Sequence, residues 1–174
     1  MADGSSACAP AFLHPGEVFT AEGPVRVKTV LGSCVAIVLR APRLGLAAMA
    51  HCLLPRAGAP AAQVPTETAW RYVDTAIELM MGAFASRGVA RSELEVKLFG
   101  GAGRWAGPGP EPLYQVGTRN VEVAERTLAA YGLHIAASDT GGRRGRVIEW
   151  DTATGEVLVK RLPSELRAAS WEES

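Results

Sequence analysis

The order of hydrophobic patterns along the chain predicts an α+β fold: three strands, a helix, a strand, a helix and three more strands, with the helices packed on a mostly antiparallel sheet. Three observations carry this. The apolar runs are short and alternating or continuous between breakers, two longer stretches carry a helical period, and the last two strand runs are joined by a hairpin signal. The length of 174 residues with 48% hydrophobic side chains fits one domain with a sizeable core.

Residues 1–20 mix Ala, Pro, Gly and Ser, with Pro10 and Pro15 among them, and are expected as a loose arm. Val25 to Val30 alternates and stops at Gly32-Ser33, which reads as a half-buried strand. Cys34 to Leu39 and Gly45 to Leu54 are apolar runs closed by Pro42 and Pro55, each too short for a helix. From Thr66 to Arg87 the period changes. Val73, Ala76, Ile77, Met80, Met81 and Phe84 make one helical stripe, and Gly88 follows as the stop. Leu94 to Phe99 alternates as a strand that runs into Gly100-Gly101-Ala102-Gly103. A second helix is expected over Asn120 to Tyr131, with Asn120 as N-cap and Gly132 past the end. Leu133 to Ala137, Arg146 to Trp150 and Val157 to Leu162 complete the strands, the last two turning at Thr154-Gly155.

Composition excludes several function classes. Lys plus Arg and Asp plus Glu are 18 each, so no overall field draws in nucleic acid or an anionic membrane. No run approaches the roughly 18 apolar residues of a membrane span, and no basic segment opens a leader, so a soluble, cytoplasmic protein is expected. Three cysteines without a CxxC pair fit free thiols better than a disulfide framework or a zinc site. The glycine run after Phe99 lacks the GK[ST] of a phosphate loop.

One pair carries chemistry. If Arg40 pairs with Gly45 around Ala41-Pro42-Arg43-Leu44, Cys34 lies directly across the hairpin from His51 on the same face. A thiol beside an imidazole is the minimum for nucleophilic catalysis, because the thiolate attacks and the imidazole moves its proton. Gly32 and Ser33 add backbone N–H groups at a turn, where they can hold an oxyanion beside the sulfur. A nucleophile elbow is excluded, since the residues after Cys34 are β-branched and cannot open a helix. Cys52 has the opposite strand parity and is expected to point away as an inert thiol. The alternative is that Cys34 and His51 are ordinary core residues.

The strings LGSCVAIVL and MAHCLLP resemble the CheD family of chemoreceptor glutamine deamidases, whose motifs are a Gly-Ser-Cys turn and an Ala-His-x-x-Leu-Pro strand. Phe99-Gly100-Gly101-Ala102, Gly117-Thr118-Arg119-Asn120, and Asp139-Thr140-Gly141-Gly142 with Gly145-Arg146 extend the match over roughly 16–162. The resemblance implies a compact single-domain α/β sandwich related to glutamine-deamidating bacterial toxins. It implies a protein-glutamine glutaminase acting on chemoreceptor cytoplasmic domains through a thioester, with Cys34 as nucleophile, His51 as base and Thr29 as third member. No metal or cofactor is implied. A CheC-type phosphatase is a further partner, and a non-catalytic adaptor binding that phosphatase or a receptor is the alternative function. The expected organisation is an arm over 1–15, a deamidase domain over 16–163 and a tail over 164–174. Arg143, Arg144 and Arg146 sit in a glycine-rich turn that reads as a solvated loop or as a grip for an acidic receptor surface.

Overall fold

The computed structural model describes residues 9–103 and 115–163. Among the described residues, nine strands form two stacked sheets, and helices cover the outer face of one of them. The strands are β1 (Ala11–Phe12), β2 (Val18–Glu22), β3 (Arg26–Leu31), β4 (Val35–Ala41), β5 (Leu46–Cys52), β6 (Glu95–Gly100), β7 (Ile135–Thr140), β8 (Arg146–Asp151) and β9 (Val157–Arg161). The first sheet has the order β1-β3-β8-β9 and the second β2-β5-β4-β6-β7. All neighbours are antiparallel except β1 with β3 and β6 with β7. The α/β sandwich with a mostly antiparallel arrangement is therefore as expected.

The second sheet is buried on both faces. Ala36, Val38, Ala47, Met49 and Phe99 point toward Val27, Leu31, Ile148 and Trp150 of the first sheet. Their alternating neighbours Val35, Ile37, Leu39, Ala48, Ala50 and Leu98 pack against the helices. Double burial explains why the β4 and β5 segments read as continuous apolar runs, whereas β3 and β8, wet on one side, alternate.

Four expectations change. The loose arm does not reach Ala11, because β1 joins β3, Leu13 is buried, and β2 pairs with β5 along its whole length. Pro10 and Pro15 flank β1 rather than abolish order, since proline is tolerated beside an edge strand. Residues 1–8, with Cys8, and the tail over 164–174 lie outside the described residues.

The first long helix is two: α1 (Thr66–Ala69) and α2 (Val73–Ser86). Between them the Arg71 carbonyl accepts from the Leu53 and Leu54 amides at 2.8 and 3.0 Å, a tertiary bond that competes with helix continuation. The α2 stripe itself is buried as read.

The β4–β5 hairpin pairs Ala41 with Leu46, not Arg40 with Gly45. Pro42–Leu44 forms a 3₁₀ turn that ends at Gly45 with φ 63°, a left-handed conformation that suits glycine and removes Gly45 from the ladder. His51 thus faces Ala36 rather than Cys34. The displacement is two residues, so every side chain keeps its predicted face.

Helix α3 (Val116–Ala130) begins four residues earlier than expected, and Asn120 lies inside it rather than at its cap.

Candidate active site

Cys34 lies just ahead of β4, where the chain turns from the first sheet into the second through Gly32 and Ser33. Its carbonyl accepts from Gly101 N–H at 2.8 Å, and the Gly32 carbonyl accepts from Ala102 N–H at 2.9 Å. This contact requires the glycines after Phe99. A Cβ on Gly100, at φ 103°, would lie 2.2 Å from the Cys34 carbonyl oxygen. Neither the Ser33 nor the Cys34 amide has a hydrogen-bond acceptor among the described residues.

His51 points between the sheets and is 1% exposed. Ala36 is opposite it, and Cys34, one residue ahead of the ladder, packs against the cluster between the sheets, on the side to which His51 points. From the facing sheet, the buried Thr29 of β3 places Oγ1 2.8 Å from His51 Nδ1. The same hydroxyl donates to the Leu13 carbonyl at 2.7 Å. A threonine has one proton to give, and a carbonyl can only accept. Nδ1 therefore carries the imidazole proton and donates to Thr29, which leaves Nε2 with an open lone pair. Nε2 has no partner among the described residues.

Burial pushes the His51 imidazole down to about 4, against a smaller upward pull from Glu17. Burial also raises the Cys34 thiol, partly offset by its own backbone N–H. The resting pair is thus a neutral thiol and a neutral imidazole. Cys52 faces the helices among Val73 and Ile77, and burial drives its thiol far upward. It is the inert cysteine that strand parity indicates.

Two elements of this arrangement were not readable from sequence. Residues 13–17 form a strap around His51. Gly16 N–H donates to the His51 carbonyl at 2.8 Å, and His51 N–H to the Glu17 carbonyl at 3.0 Å. Backbone groups supply these bonds, so side-chain identity gives no signal. The other element is Asn120, which donates through Nδ2 to the Ser33 carbonyl at 2.9 Å and to the Leu53 carbonyl at 3.0 Å.

The glycine-rich arginine turn is not a uniform basic surface. Arg146 is fully buried and donates to the Asp139 carbonyl at 2.6 Å, to Asp139 Oδ1 and to the Gly141 carbonyl. Arg144 donates to the Leu162 carbonyl at 2.7 Å. Arg146 is a clamp between β7 and β8 and cannot grip a receptor.

The family described as CheD chemotactic sensory transduction matches over residues 53–161. A protein of Geobacter sulfurreducens named probable chemoreceptor glutamine deamidase CheD 2 is 44% identical over 151 residues, covering 87% of this chain and 89% of its own. One from Maridesulfovibrio salexigens, named probable chemoreceptor glutamine deamidase CheD, is 39% identical and covers 89% and 93%. The Thermotoga maritima protein named chemoreceptor glutamine deamidase CheD is 34% identical and covers 84% and 88%. The family match begins after Cys34 and His51, while the relatives align over most of the chain. On these matches, and with the two-sheet fold around a Gly-Ser-Cys turn, the chain belongs to the CheD family.

Proposed function

We propose that the protein hydrolyses glutamine side chains of chemoreceptor cytoplasmic domains to glutamate and ammonia, with Cys34 as nucleophile, His51 as base and Thr29 as the group that orients the base. Family membership and the relatives' names support the substrate. The observation that carries the site is the Leu13–Thr29–His51 chain of hydrogen bonds, which leaves Nε2 as a proton acceptor on the face that Cys34 shares.

Because thiol and imidazole are both neutral at rest, proton transfer accompanies attack. His51 Nε2 takes the Cys34 proton as Sγ bonds to the amide carbon, and the carbonyl electrons move onto oxygen. The Ser33 and Cys34 N–H groups receive that oxyanion. The tetrahedral centre collapses, the C–N bond breaks, and His51 returns its proton to the departing nitrogen, which leaves as ammonia. Water then attacks the thioester and gives a proton to Nε2. Collapse of this second centre breaks the C–S bond, frees glutamate and restores the thiol.

The test is incubation with purified receptor cytoplasmic fragments. Each modified glutamine adds about one dalton and releases one ammonia, the balance for amide-to-acid hydrolysis through an acyl-enzyme. Free glutamine should stay intact, because the charged groups beside the turn, Asp139 with Arg146 and Arg161, are matched to one another rather than held open for an α-amino and an α-carboxylate group. Rapid hydrolysis of free glutamine with unmodified receptor would overturn the reading.

A further inference from the structure

We infer that Asn120 is a positioning residue for Cys34, holding the turn so that the Cys34 N–H stands beside the sulfur as an oxyanion donor. The inference rests on the proposed thiol chemistry and extends it to a residue on a different element.

The β4–β5 ladder ends at Val35 opposite Cys52. One rung further, Cys34 and Leu53 would pair, but the Gly-Ser-Cys turn leaves the sheet there. The Asn120 amide occupies the gap and bonds one carbonyl from each side, Ser33 and Leu53. A single side chain thus replaces the missing rung. It joins the segment carrying Cys34 to the segment two residues beyond His51.

The consequence for Cys34 follows from peptide geometry. The Ser33–Cys34 bond is trans, so its C=O and N–H point in opposite directions. Anchoring the Ser33 carbonyl on Asn120 turns the Cys34 N–H away from the helix. That N–H has no hydrogen-bond acceptor among the described residues, and its dipole pulls the thiol of its own residue downward.

The chain is built to bring Asn120 this close. Asn120 is fully buried on the fifth residue of α3. A Cβ on Gly117 would lie 2.4 Å from the Ala102 carbonyl oxygen, and one on Gly101 would lie 2.3 Å from Val121 Cγ2. Only with glycine at both places does the first turn of α3 rest on the end of β6. Helix packing alone would be served by an apolar residue. A buried amide with one bond into the turn and one to the segment after β5 costs desolvation, and its Oδ1 has no partner among the described residues.

Asn120→Ala and Asn120→Ser test this in the full chain, with folding checked by circular dichroism. Two readouts are taken well below melting: turnover on receptor fragments, and the rate at which iodoacetamide alkylates Cys34 at pH 8. The expected result for Asn120→Ala is a kcat lower by roughly tenfold to a hundredfold, as for a misaligned oxyanion donor, with KM within about twofold. Alkylation should slow, because the peptide that Asn120 anchors no longer holds the Cys34 N–H dipole toward the thiolate. Asn120→Ser, which keeps one donor, should fall between and decides the matter if Asn120→Ala does not fold. A purely structural role predicts the opposite sign for alkylation, since a loosened turn exposes the sulfur. Folded variants with unchanged kcat, or with faster alkylation, would overturn the inference. Failure of the wild type to modify any receptor would count against the deamidase reading instead, and the alkylation rates would still decide the role of Asn120.

Discussion

Thr29 shows how one hydroxyl can set the chemistry of a site. Its proton is committed to the Leu13 carbonyl, so it can only accept from His51, and the imidazole tautomer is fixed by elimination. Thr29→Ser should therefore retain most activity, whereas Thr29→Val, similar in shape without the hydroxyl, should lower kcat by roughly 10²-fold or more. Loss of the correct tautomer alone costs a serine protease about 10⁴. Steady-state kinetics on receptor fragments measures it, and near-normal turnover in Thr29→Val would remove Thr29 from the site. His51 also predicts a pH profile. With its imidazole held at about 4, it remains a free base through mildly acidic conditions. The acid limb of kcat/KM, which reports the free enzyme, should therefore lie near 4 rather than at the ordinary histidine value. A half-maximal rate near pH 6.5 would contradict a desolvated base.

At the scale of elements, the site is a junction of three pieces: the strap over 13–17, the Gly-Ser-Cys turn, and the first turn of α3 resting on the end of β6. Backbone-to-backbone approach at this junction leaves no room for side chains. Gly117→Ala should cost about 1–3 kcal/mol, as overpacking does, read as a lower urea midpoint, and should lower kcat because Asn120 moves with the helix. A stable variant with full activity would mean that α3 plays no part in the site. The β7–β8 clamp gives a second test. Arg146→Ala leaves Asp139 with Arg161 as its cation among the described residues and frees the Asp139, Gly141 and Arg144 carbonyls, so it should destabilise by on the order of 2–4 kcal/mol. Arg144→Ala, which removes one exposed bond, should sit within about 0.5 kcal/mol of wild type, as surface substitutions do. Equal effects of the two would mean that Arg146 is not the clamp.

For the whole molecule, the buried neutral His51 links folding to pH. Its folded value of about 4 lies below the ordinary 6.5, so the unfolded chain binds more protons between these limits. Its contribution to stability is complete above 6.5 and is lost as pH falls toward 4. At about 1.4 kcal/mol per unit, the loss is on the order of 3 kcal/mol. It should shrink markedly in His51→Gln, as urea titrations at pH 7 and pH 4.5 would show. An identical pH dependence in the variant would mean that His51 is not the linked group.

Much of this architecture was legible in the chain, and the reasons are physical. Strand parity placed Cys34 and His51 on one face and Cys52 on the other, and it survived a two-residue error in register because the strand period is two. That error came from Gly45, whose left-handed conformation extends the turn. The β1 and β2 strands were missed because prolines flank them and their order comes from long-range pairing. Asn120 was taken for a helix cap because that is the commonest use of asparagine near a helix start. Its partners, Ser33 and Leu53, are more than sixty residues away. Arg146 read as surface because a glycine-rich turn gives no local sign of burial.

The central claim is that receptor amides pass through a thioester on Cys34. Acid quench of the wild type within the first turnovers on a receptor fragment, followed by intact-mass and peptide analysis, should reveal a covalent adduct of the two proteins lacking one ammonia and attached at Cys34. Cys34→Ala should remain folded, form no adduct and leave the fragment unmodified. Deamidation of the fragment by Cys34→Ala, or an adduct mapped to Cys52, would contradict the account.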